Sequence, residues 1–252
     1  MKKAFILILA LAAWGRAAHA GQAAASLYNQ ANSDYRAGSF EKAAALYEQA
    51  AAAGVHNSDL YYNLGNAWYR RGDRGKARLW WERAERLSPR DPDLRANLAL
   101  LQNQLSEALA LPQKPMPTDF LRSVRDLAPA GKWGLALSIS IWTFWLLLFL
   151  FLILRPGRLR RLLLILDIIF ILIMLLFGIG FGFRYGFEQE PAAAVLADKV
   201  SVRSGPGDSF NEQFELPAGA KVLIQECGNG YCKIELPPGM VGWVEQKTVE
   251  RI

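Results

Sequence analysis

The sequence predicts a multi-domain chain with an all-α repeat domain, a hairpin of two transmembrane helices and a small all-β barrel. Three observations carry this. The N-terminal third resembles itself at a period of 34 residues; two apolar runs of 22 residues flank a short basic turn; the last 60 or so residues hold short β-type runs between Gly, Pro, Asn and Asp. A length of 252 residues leaves room for one or two modest domains beside the membrane part. The formal charge of +6 is unevenly placed. Lys2, Lys3, Arg16 and the four arginines of the basic turn outweigh it, leaving the remainder one unit negative. That balance argues against a nucleic-acid partner. Two Cys and two His exclude a zinc cluster of standard spacing, and no other metal or cofactor motif is present.

In chain order, Lys2 and Lys3, the apolar Ala4–Trp14 and the small-residue site Ala18-His19-Ala20 read as a secretory signal peptide over 1–20. The alternative is the same segment retained as an anchor; either way the next segment is exported. No Cys follows the site, which disfavours a lipid anchor. Residues 24–57 and 58–91 then align without a gap. Ala31 answers Gly65, Asn32 answers Asn66, Tyr35 answers Tyr69, Arg36 answers Arg70, Gly38 answers Gly72, Ala43 answers Ala77 and Tyr47 answers Trp81. This is the tetratricopeptide pattern of paired antiparallel helices. The small residues sit where paired helices cross, Gly38 and Gly72 close the first helices in a left-handed conformation, and Tyr47 and Trp81 fill the space between pairs. Residues 92–111 begin a third unit that lacks its second helix, a capping helix that completes a tetratricopeptide domain over 21–111. The linker 112–132 opens with a stiff Pro-rich stretch. Its Thr118–Leu127 part either lies on the membrane surface or extends the first membrane helix.

The membrane hairpin is expected at 133–154 and 162–183, joined by the loop 155–161. Each run spans roughly 33 Å at a rise of about 1.5 Å per residue, enough for a hydrocarbon core. Arg155, Arg158, Arg160 and Arg161 in the loop mark the cytoplasmic side, so both soluble parts face the periplasm. Asp167 is the one charge inside the runs. It is either a functional group or a carboxylate that snorkels toward the loop arginines, and the second reading is favoured. Gly178, Gly182 and Gly186 recur every four residues and permit close helix packing against the first helix or a foreign one. Trp133 and Tyr185 stand at the outer ends, where aromatic belts form.

The segment 191–252 carries β-type runs at Ala194–Leu196, Val200–Arg203, Lys221–Glu226, Tyr231–Glu235 and Val241–Val244. VSVRSGPG (Val200–Gly207) and GMVGWVEQ (Gly239–Gln246) resemble the bacterial SH3-type domain. Trp243 faces either the core or a ligand groove, and with Tyr231 it is the candidate ligand face. Cys227 and Cys232 flank a turn-like stretch and would form a disulfide in an oxidising compartment, which fits export. A reactive-thiol reading has no accompanying base.

The order of modules, and the run YYNLGNAWY within Leu60–Asp93 in particular, resembles the E proteins of the Bat aerotolerance operon. The resemblance implies a membrane-anchored periplasmic component working beside von Willebrand A-domain Bat proteins and, indirectly, a MoxR-type ATPase. The leading expectation is a non-enzymatic scaffold whose tetratricopeptide groove binds another envelope protein. The rival is a cell-wall receptor that binds peptidoglycan through the SH3-like domain. The expected groove residues are Tyr28, Asn32, Tyr35 and Arg36 with Tyr62, Asn66, Tyr69 and Arg70, one helical stripe in each repeat. Asn suits peptide backbone, Arg a carboxylate and Tyr rigid contact area. The competing reading assigns these tyrosines to packing between repeats and the asparagines to helix turns.

Overall fold

The computed structural model describes residues 22–108, 126–236 and 239–252. The expected signal peptide, Pro-rich spacer and most of the juxtamembrane segment lie outside these residues. The chain divides into two compact units: one gathers the helical repeats with the C-terminal β-domain, the other is essentially Lys114–Glu190.

The repeats are built from α1 (22–36), α2 (Phe40–Ala52), α3 (Ser58–Arg71) and α4 (Arg74–Leu87), followed by α5 (Pro92–Ala108). Helix ends follow local chemistry. Gly38 and Gly72 have φ of 78° and 98°, a region that only Gly enters cheaply. The Gly38 N–H donates to the Tyr35 carbonyl at 3.1 Å and the Ser39 N–H to that of Asp34 at 2.9 Å. One repeat later Gly72 donates to Tyr69 at 3.0 Å and Asp73 to Trp68 at 2.9 Å, the same Schellman termination. Asn57 caps α3 by accepting from the Leu60 N–H at 2.7 Å, and Asp73 caps α4 by accepting from Lys76 at 2.9 Å. The expected small packing positions are buried: Ala31 and Gly65, with Ala43 and Ala77 on the partner helices, and Leu64 is buried beside Gly65. A Cβ at Gly65 would lie 2.4 Å from Trp81 Cδ1, so the indole of the second helix occupies the space a side chain would need.

The β-domain comprises β1 (Ala192–Val195), β2 (Lys199–Arg203), β3 (Glu212–Pro217), β4 (Lys221–Gly228), β5 (Tyr231–Leu236), β6 (Met240–Glu245), a 3-10 turn (Gln246–Thr248) and β7 (Val249–Arg251). All pairings are antiparallel, in the order β3-β2-β6-β5-β4-β1-β7, around one core that includes Val200, Val202, Val222, Ile234 and Val244. Five strands were expected and seven form among the described residues. The additions are β3, whose sequence EQFELP alternates weakly and sends only Leu216 fully into the core, and the three-residue β7. Gly242 is small because β2 crosses there; a Cβ would meet Val202 Cγ1 at 2.3 Å. Asn229 and Gly230 both have positive φ, 52° and 80°, the backbone of a two-residue type I′ hairpin turn. That turn sets Cys227 opposite Cys232, and the two are joined by a disulfide.

In the second unit, α6 (Ala130–Ile153) and α7 (Arg158–Glu188) pack as a hairpin, each long and apolar enough to cross a membrane. The turn is shorter than the basic stretch, because Arg158, Arg160 and Arg161 already belong to α7; arginine is a good helix former once Pro156 and Gly157 have broken α6. Three expectations change here. Close approach falls at Gly180, beneath the Trp133 ring, where a Cβ would lie 2.7 Å away, and at Gly134 against Phe181. A Cβ on Gly178, Gly182 or Gly186 would meet nothing within 4 Å, so these are not the contact with the first helix. Trp133 is consequently buried inside the hairpin instead of standing in an aromatic belt, whereas Tyr185 is half exposed. Asp167 does not reach the loop arginines: its side chain is buried and its Oδ1 makes no hydrogen bond.

Candidate functional site

Two surfaces of the first unit combine polar chemistry with access. The first is the stripe on α1 and α3. Its residues divide into two groups. Tyr28, Asn32, Tyr62 and Asn66 belong to an internal hydrogen-bond ladder that repeats with the sequence. Tyr47 OH donates to Asn32 Oδ1 at 2.5 Å, and at the equivalent place Trp81 Nε1 donates to Asn66 Oδ1 at 3.0 Å. Asn63 Nδ2 donates to Tyr28 OH at 2.9 Å, and Asn97 Nδ2 reaches Tyr62 OH at 3.5 Å and Asn66 Oδ1 at 3.1 Å. The asparagines thus satisfy the polar tips of the large second-helix aromatics, which are otherwise buried. Burial, reinforced by the neighbouring Tyr28 and Tyr35 phenols, holds Tyr47 well above the usual tyrosine range, so it remains a donor.

Tyr35, Arg36, Tyr69 and Arg70 lie outside this ladder. Arg36 and Arg70 are exposed. Arg70 is placed by stacking over the Phe40 ring, 4.9 Å from its centroid, and Tyr35 meets the same ring edge-on at 5.2 Å. Burial raises the Tyr35 phenol, and the nearby Arg70 guanidinium opposes that rise. Tyr69 packs on Trp81 at 5.3 Å. Arg36 and Arg70 are thus exposed cations at the C-terminal ends of α1 and α3, the second with the Tyr35 phenol nearby, and each can receive an anionic group.

The second surface is a cleft of about 180 Å³ on the β-domain, lined by Lys199, Ser201, Arg203, Tyr231, Trp243 and Glu245 among others. Trp243 alternates along β6 with the buried Gly242 and Val244, so it points away from the core and toward the cleft. The core position expected as one alternative is therefore not the one it takes. Arg203 spans the adjoining loop, donating through Nη1 to the Asp208 carbonyl at 2.7 Å and pairing through Nη2 with the Asp208 carboxylate at 3.4 Å. Tyr231 OH donates to Asp208 Oδ1 at 3.1 Å. Local desolvation and this hydrogen bond to a carboxylate raise the Tyr231 phenol. Tyr231 and Glu245 also border a shallow neighbouring depression with Lys247. The sequence signalled Tyr231 and Trp243 but missed Lys199, Arg203, Asp208 and Glu245, which only the β2–β6 and β5–β6 pairings bring together.

A third polar group was also missed. Arg184, fully buried, donates through Nε to Glu188 at 2.7 Å and through Nη1 to Asp126 at 3.4 Å, and Glu188 also accepts from the Ala130 N–H at 3.1 Å. It joins the start of α6 to the end of α7.

Comparison with protein-family models identifies the two folded parts of the first unit. The tetratricopeptide repeat model matches residues 28–92 and the bacterial SH3 domain model matches residues 198–250. No curated protein matches the chain. The chain therefore joins a tetratricopeptide region to a bacterial SH3 domain through two helices apolar enough for a membrane.

Proposed function

We propose that this chain is a non-enzymatic scaffold of the bacterial envelope, anchored in the inner membrane, whose tetratricopeptide surface holds an acidic or C-terminal segment of another envelope protein. The observation that carries this reading is the pair Arg36 and Arg70, the exposed part of the repeated stripe outside the hydrogen-bond ladder, with Tyr35 and Tyr69 packed on the core beside them. A guanidinium binds a carboxylate in two parallel bonds, and Arg70 is pre-positioned by its stacking. The resemblance to the Bat E proteins makes von Willebrand A-domain Bat proteins the first partners to try, with a MoxR-type ATPase further off. The helical and β-parts form one compact unit although the hairpin separates them in sequence, which supports the reading that both lie on the same side of a membrane the hairpin enters. The arginine-rich turn makes that side the periplasm.

The test is capture of a partner from detergent-solubilised envelope by the full chain. Arg36→Ala with Arg70→Ala should lower capture at least tenfold, since charge-assisted bonds contribute about 1.5–3 kcal/mol each, while helix content is unchanged. Undiminished capture by the double variant would reject this site. Sidedness is tested separately: cysteine labels in α1 and in β3 should react from outside the cytoplasmic membrane, and a label at Gly157 should be protected.

A second reading has its own observation. The cleft with Trp243 and Tyr231 carries charges of both signs, Lys199 and Arg203 against Glu245, which suits the mixed charges of a cell-wall peptide. Under this reading Trp243→Ala abolishes sedimentation with purified peptidoglycan, and the two arginine substitutions leave it intact.

A further inference from the structure

We propose that the outer face of α4 is a docking surface for the chain's own SH3-like domain, and that the two domains work as one rigid adaptor with both candidate ligand surfaces on a single body. The argument begins with β1. Its sequence is AAAV and all four residues are buried, a pattern that a strand at the surface of an isolated small barrel does not show. One face of β1 joins the barrel core through Ala193 and Val195; the other must be covered by something else. What covers this edge of the domain is α4. A Cβ on Gly75 would lie 2.6 Å from Leu196 Cα and 2.7 Å from the Val195 carbonyl oxygen, so the helix touches the backbone directly.

The repeats themselves record this. Gly75 stands where the first repeat has Glu41, which is exposed and pairs with Arg71 at 3.0 Å. Arg78 stands where the first repeat has Ala44, and Arg83 where it has Gln49. Each change serves the interface. Arg78 holds the buried Glu82 at 2.9 Å, and Glu82 in turn receives Lys221 of β4 at 2.6 Å. Arg83 donates to Glu250 and to the Arg251 carbonyl, both at 2.9 Å. A Cβ on Gly219, in the turn before β4 with φ of 83°, would lie 3.0 Å from the Arg74 carbonyl oxygen. The Trp243 cleft involves β2, β5 and β6, and the arginine pair lies on α1 and α3, so docking leaves both surfaces free. The occupant of the α4 face is residues 192–252 of the same chain, because the contacts come from several strands at once and match in charge, shape and backbone.

The experiment uses the full chain in detergent micelles with its native disulfide intact. Cysteines replacing Leu87 and Arg251, near the Arg83–Glu250 contact, are joined with a short bis-maleimide. A cross-linked product at monomer mass is expected; a product at dimer mass, or none, overturns the proposal. Gly75→Glu, which restores the first-repeat residue, should cut the cross-linking rate at least tenfold with helix content and disulfide retained. A rate unchanged by Gly75→Glu also overturns it. Should that variant fail to fold, charge exchange serves instead. Arg83→Glu should slow cross-linking several-fold and adding Glu250→Arg should restore it; absence of any restoration counts against the docking.

Discussion

Asn32 and Asn66 look like ligand-binding groups in a stripe of tyrosines and arginines, yet each spends its carbonyl oxygen on the aromatic residue 15 positions later. The consequence is measurable. Asn66→Ala leaves the indole N–H of the buried Trp81 without an acceptor, and the loss expected for such a group is about 1–3 kcal/mol. A thermal melt of the full chain should show a lower helical midpoint. Gly65→Ala should act on the same indole by crowding, at about 1–3 kcal/mol, because its Cβ would lie 2.4 Å from the ring edge, well inside van der Waals contact. An unchanged midpoint in both variants would show that Trp81 is not the keystone of the second repeat. Arg36→Ala with Arg70→Ala should barely move the midpoint, since neither side chain belongs to the ladder.

At the scale of elements, the hairpin distinguishes glycines that sequence spacing treats alike. Gly180→Leu must displace the Trp133 ring, whereas Gly182→Leu extends into open space. The first should lower the temperature at which the protein aggregates in detergent and the second should leave it unchanged; equal effects would refute the register of α6 on α7. The β4–β5 hairpin offers a second contrast. Its disulfide closes a loop with a sequence separation of only 5. The entropic gain for so short a loop is about 2 kcal/mol, modest but useful to a small domain with little core. Replacing both cysteines with Ser should lower the unfolding midpoint of the SH3-like domain without altering helix content. No shift in that midpoint would mean the Asn229-Gly230 turn alone closes the hairpin.

At the scale of the molecule, the docked unit should be sensitive to acid. Burial alone would raise the Glu82 carboxyl, but the Arg78 and Lys221 cations and their hydrogen bonds outweigh it and hold it below the usual carboxylate range. Gln102 shares Arg78 at 3.0 Å. A carboxylate whose folded pKa is depressed adds stability above its unfolded value, and this is lost as pH falls through the folded value. Docking should therefore be constant from neutral pH down to the ordinary Glu range near 4–4.5 and weaken below it. The cross-linking rate between α4 and β7 reports this directly, and Glu82→Gln should flatten its acid limb. A wild-type rate that stays constant through the acid range would remove Glu82 from the latch.

The sequence by itself determined the modules. A 34-residue period, two uninterrupted apolar runs and Gly-punctuated β-runs are local patterns, and each specifies an element by how often apolar or glycine residues recur. The helix ends at Gly38 and Gly72 and the small positions Ala31 and Gly65 were legible for the same reason; Trp81, expected between pairs, instead packs on Gly65 within its own pair. Only the tertiary structure decided which polar residues remain available. Hydrogen-bond partners such as Asn66 with Trp81, or Arg203 with Asp208 beside Trp243, meet through helix packing and strand register, which composition does not encode. Docking of the barrel on α4 is decided at the same level. Gly75 in place of Glu41 looks like drift between repeats until the backbone of Val195 and Leu196 is seen to fill the space a side chain would take.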